Sequence, residues 1–185
     1  MNDIITLRSI AGYCPEEAIW KLVVDLCDSL TDTTPFLSPD TIWVDDTNFM
    51  IGEGKGSGAA AFLPPEYKEG EPLTNEQLIW SVGSIAYYAS SGRVPFGGHG
   101  GTYQKLNPQA PLPVLQKRHQ SLTPIVQRCM QYNPTQRMSR SELTQIAHQE
   151  LARCRSKIRQ RFTHETNTNK QETEQYEKWP EAMSK

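Results

Sequence analysis

Apolar residues recur at helical spacing from Pro15 to Leu30, where Ala18, Ile19, Leu22, Val23, Leu26, Cys27 and Leu30 form one stripe. That periodicity predicts a core-facing helix. Pro15 suits its opening turn, and Glu16 and Glu17 favour the positive end of its dipole. Upstream, Thr6 to Ala11 reads as a short helix capped by Thr6 and stopped by Gly12. The pattern then shortens: Ile42-Trp43-Val44 and Phe49-Met50-Ile51 flank the turn formers Asp45-Asp46-Thr47-Asn48, which predicts a small β-hairpin. Two strands alone are marginal, so the hairpin is expected to lie on the helices.

A glycine loop from Gly52 to Gly58 and an Ala-rich stretch ending in Pro64-Pro65 interrupt the periodic segments. A helix is predicted from Asn75 to Ser91, with Leu78, Ile79, Val82, Ile85, Ala86 and Ala89 apolar and Gly92 as its terminator. Gly97 to Gln120 is rich in Gly, Pro, Gln and His and reads as irregular, with one short helix near Leu115. Ser121 to Tyr132 predicts a further helix. A last one opens at the Ser139-x-x-Glu142 capping box and buries Leu143, Ile146, Ala147 and Leu151. Beyond Cys154 the chain is polar apart from Ile158, Phe162, Trp179 and Met183, too little apolar surface to offset its ordering entropy. Residues 1–154 are therefore expected to form a mainly α-helical domain, and 155–185 a disordered or frayed-helix tail.

The length of 185 residues leaves room for one domain plus such a tail. A net charge of -2 and a pI near 6.1 provide no basic stripe for phosphate backbones or anionic lipid, so neither nucleic acid nor membrane is an expected partner. Four cysteines stand far apart, with no Cys-x-x-Cys pair and no His at ligand spacing, which predicts reduced thiols and no metal. The start lacks the basic and apolar regions of a signal peptide, and no apolar run is long enough to span a bilayer, so a cytoplasmic setting is expected. His99 and His119 read as solvated, and Pro108-Gln-Ala-Pro111 as plain loop rather than a polyproline ligand.

Five local motifs stand in the order found in a protein-kinase large lobe, over roughly residues 4 to 152. Leu37-Ser38-Pro39-Asp40-Thr41-Ile42 resembles the catalytic-loop stretch, and Phe62-Leu63-Pro64-Pro65-Glu66-Tyr67 the segment that closes the activation loop. Trp80-Ser81-Val82-Gly83 is similar to the core of the central buried helix, and Gly92-Arg93-Val94-Pro95-Phe96 to the stretch after it. Cys129 to Arg137 resembles the closing motif, whose Arg pairs with the Glu of the activation segment. The resemblance thus implies an ion pair between Glu66 and Arg137 and a structural Trp80; two unrelated surface charges are the plainer alternative.

Phosphoryl transfer needs a catalytic Asp, metal-binding Asn and Asp residues, and a Lys on the phosphates. By the resemblance, Phe36 stands where the catalytic Asp belongs, Thr41 at the metal-binding Asn and Ser38 at the catalytic-loop Lys. Glu53 falls near the second metal-binding Asp, and Leu78 replaces an Asp that supports the catalytic loop. No nucleotide-binding lobe precedes these motifs. The expectation is therefore a non-catalytic interaction module without a cofactor; the alternative is a degenerate kinase that keeps ATP or Mg²⁺ through Glu53, completed by another chain. The arrangement is similar to the kinase non-catalytic C-lobe (KIND) domain, some members of which bind basic peptides through an acidic groove. By that resemblance Asp28, Asp32, Asp45 and Asp46 belong to an acidic partner-binding surface; a solvated face is the alternative.

Overall fold

The computed structural model describes the backbone of residues 5–34, 36–53 and 58–182, and the side chains of these apart from Lys117, Arg118 and 164–182. The apolar stripe after Pro15 forms helix α2 (Glu16–Ser29), which buries Ile19, Trp20, Leu22, Val23, Val24, Leu26 and Cys27. The short helix before it, α1, spans Leu7–Ile10. Thr6 does not cap it through its side chain, because residues Ile5–Thr6 are extended and form a strand, β1.

The predicted hairpin is present as β2 (Ile42–Asp45) and β3 (Asn48–Ile51), with β1 added on the far side of β2. All three strands are antiparallel, with Ile5 opposite Val44 and Trp43 opposite Met50. The third strand carries no signal of its own in two residues. The turn is also tighter than the four turn formers suggest: Asp45 and Asn48 pair across the ladder, and Asp46, at φ 48°, takes the left-handed conformation that Asp tolerates. The sheet rests on α2. The Asp25 carboxylate accepts the Phe49 N–H at 2.9 Å, and Lys21 donates to Asp25 at 2.6 Å and to Asn48 at 3.0 Å.

Helix α3 (Asn75–Ser91) runs through the middle of the fold, buried from Leu78 to Ser90 except at half-buried Tyr87. Its start is fixed by a reciprocal capping box between Thr74 and Gln77, and its end by Gly92 at φ 69°. Helix α5 (Thr123–Cys129) crosses it closely at Gly83, where a Cβ would stand 2.5 Å from the Cys129 Cβ. Between them, the stretch read as irregular contains a helix, α4 (Gly100–Leu106), and a 3₁₀ turn over Lys117–Leu122.

Helix α6 (Arg140–Ala182) lays Leu143, Ala147, Leu151 and Cys154 into the core and packs chiefly on α2. Its cap is half of the predicted box: Ser139 Oγ accepts the Glu142 N–H at 3.2 Å, while the Glu142 carboxylate goes to Arg128 at 2.7 Å. The segment beyond Cys154 continues α6 as far as Ala182, and every residue from Arg155 to Thr163 is exposed. No described helix is long and apolar enough to cross a membrane. The chain is thus mainly α-helical with one small antiparallel sheet.

Candidate functional site

The segment between the glycine loop and α3 is pinned from below. Arg137, whose side chain is wholly buried, donates through Nη1 and Nη2 to the two carboxylate oxygens of Glu66 at 2.6 and 2.8 Å. Its remaining N–H groups reach the carbonyls of Gln131, Glu76 and Tyr132 at 2.9, 3.0 and 3.2 Å. A planar guanidinium suits this two-toothed contact, and every buried donor used here finds an acceptor. Trp80, also buried, donates Nε1–H to Gln104 Oε1 at 2.9 Å; Gln104 in turn donates to the Met130 carbonyl at 2.9 Å. One amide therefore ties α3 to α4 and α5. Ser81 holds the same segment by donating to the Phe62 carbonyl at 2.8 Å.

The wall opposite α4 is set by two glycines. A Cβ on Gly100 would stand 1.8 Å from the Ala61 oxygen, and one on Gly101 1.9 Å from the Leu63 oxygen, so only glycine lets α4 approach this backbone. Alongside that contact runs a groove of about 1100 Å³. Phe36, Leu63, Pro64, Pro65, Tyr67 and Pro72 form its apolar lining, with Glu69, Glu71 and Lys105 at its charged margin. Phe36 meets Tyr67 edge to face, ring centroids 5.4 Å apart.

Around Phe36 the loop closes on itself. Thr41 Oγ1 accepts the Ser38 N–H at 3.1 Å and donates to the Ser38 carbonyl at 3.1 Å, and both side chains are buried. Ser38 and Thr41 thus hold a turn together. Leu78 is buried in the core, 2% exposed. Glu53 is exposed; Gly54 and Lys55, which follow it, lie outside the described residues, as does Pro35. Among the described residues no group of three His, Cys, Asp or Glu gathers where it could hold a metal ion.

Asp28, Asp32, Asp45 and Asp46 are all exposed. Asp28 lies on α2 and Asp45 and Asp46 on the hairpin that packs against that helix, so these three occupy adjoining elements. Asp32 lies in the connection after α2 where the hydroxyls of Thr31, Thr33 and Thr34 cluster, four residues before Phe36. Lys21 brings a positive charge to this side through its bonds to Asp25 and Asn48.

The expectation of a solvated His119 is corrected: it is 3% exposed, with Nδ1 2.6 Å from Ser90 Oγ. Histidine alone gave no hint of this, because its partner lies 29 residues away on α3. Gln104, Gly100, Gly101 and Tyr67 were also missed as site residues, three of them in the stretch read as loop. None of the four cysteines is in a disulfide, and all four are buried. Burial pushes the Cys27 thiol up to about 11 and raises Cys129 as well. Glu16 behaves oppositely: burial works to raise it, but hydrogen bonds from Ser121 and Trp20 and the charge of Arg153 together hold its carboxyl below the ordinary value. No protein-family model and no curated protein matches this chain.

Proposed function

We propose that the chain is a non-catalytic protein-interaction module resembling a kinase large lobe of the KIND type, and that it takes an extended protein segment in the groove between residues 59–72 and α4. The reading rests on Phe36. Where the resemblance puts the catalytic Asp, an aromatic ring packs on Tyr67 and forms part of an apolar lining. A phenyl ring takes no proton, but it does offer a surface for an apolar anchor. The bidentate Arg137–Glu66 pair supports the same reading, because it braces one wall of the groove with the chain's own side chains. Ser38 and Thr41, spent on their own turn, contribute neither charge nor carboxylate there.

The partner is a peptide with an apolar anchor and basic flanks. Glu69 stands at the groove margin, and Asp28, Asp32, Asp45 and Asp46 supply the acidic surface. Four buried cysteines outside any disulfide suit a reducing, cytoplasmic setting. The test is fluorescence anisotropy with a labelled peptide pool in which Leu or Pro is flanked by Arg and Lys. Saturable binding is expected, weakened about tenfold by Phe36→Asp, and made weaker and less salt-sensitive by Asp45→Lys with Asp46→Lys. Binding that neither change alters rejects the assignment.

A further inference from the structure

The two walls of the groove differ in charge. On the side of residues 59–72, Glu66 is paired with Arg137, and Glu71 stands 3.9 Å from Lys68. Glu69 is left over: it is exposed at the groove margin, and among the described residues it has no ion-pair partner. On the α4 side the charge is positive. Lys105 is exposed, lines the groove and likewise has no ion-pair partner among the described residues. Thr102, three residues earlier on the same face of α4, lines the groove beside it and offers a hydroxyl.

Walls of opposite sign select an occupant that is itself divided. A uniformly basic segment is attracted at Glu69 but brings like charge to Lys105; a uniformly acidic one does the reverse. Only a segment with both signs is attracted at both walls. Each exposed pair is weak by itself, so the ranking of partners comes from attraction and repulsion acting together.

We propose that the protein segment taken by the groove carries an acidic side chain, Asp or Glu, against Lys105 and Thr102, together with a basic residue against Glu69 and an apolar anchor on Phe36 and Tyr67. The inference rests on the proposed function and sharpens it: the basic flank belongs to the wall of residues 59–72, and α4 adds the requirement for an acid.

Fluorescence anisotropy on the full chain tests this with labelled peptides that share a Leu-Pro anchor. One peptide has Arg and Lys on both sides of the anchor. The other keeps them on one side and has Glu on the other, and is made in both orders. One of the two mixed orders is expected to bind about fivefold tighter than the basic peptide at low salt, the difference shrinking as salt is raised. Lys105→Glu should reverse that ranking, whereas Lys157→Glu, the same change of charge on the exposed stretch of α6, should leave it. No saturable binding of any peptide overturns the proposed function and this inference with it. Saturable binding in which the basic peptide equals or exceeds both mixed ones, or a ranking that Lys105→Glu leaves unchanged, overturns the inference alone.

Discussion

Arg137 donates five hydrogen bonds from a side chain with no exposed surface. Removing it strands the Glu66 carboxylate and three carbonyls together. Arg137→Ala is expected to cost about 3 kcal/mol in urea unfolding, with Arg137→Lys recovering part of that because the charge returns without the fork. A loss below about 1 kcal/mol contradicts the brace. The cysteines make a second residue-level prediction. Native protein is expected to react slowly with a thiol-directed disulfide reagent, all four groups becoming fast only on unfolding; one thiol reacting at the rate of free cysteine would contradict the burial. Because the folded Cys27 pKa is raised to about 11, its contribution to stability is complete below the unfolded thiol pKa and is lost as pH climbs toward 11. Cys27→Ala should flatten that alkaline decline.

Between elements, Glu16 is a joint shared by three segments. One of its oxygens accepts from Trp20, from Ser121 at 2.8 Å and from Arg153 at 2.7 Å, tying α2 to the Lys117–Leu122 turn and to α6. Its folded pKa is lowered, so the stability it adds is present above the unfolded glutamate pKa and lost as pH falls through the folded one. Thermal unfolding of Glu16→Gln should show a shallower acid decline than wild type; identical acid limbs would remove Glu16 from the account. Gly101→Ala should cost on the order of 1–3 kcal/mol and weaken peptide capture, since the Leu63 carbonyl must move aside. Helices α2 and α3 and the hairpin were legible in the sequence because their apolar periods are long or bounded by turn formers. Strand β1 and helix α4 were not. Two residues carry no period, and α4 opens on glycines that read as loop but are required by the backbone of Ala61 and Leu63.

At the scale of the whole molecule, an Arg–Glu brace, a small sheet resting on α2 and a groove walled by prolines and two aromatic rings stand together, with Phe36 in the lining of that groove. The ion pair was foreseen from the motif order. The groove was not, because its walls come from three separate stretches that only the fold brings together. On the proposed function, this scaffold binds protein and does no phosphate chemistry. Calorimetric titration of the full chain with Mg²⁺-ATP tests that most directly. No saturable heat is predicted at millimolar nucleotide. A saturable signal that Glu53→Gln abolishes would contradict the account and return the chain to the nucleotide-binding proteins.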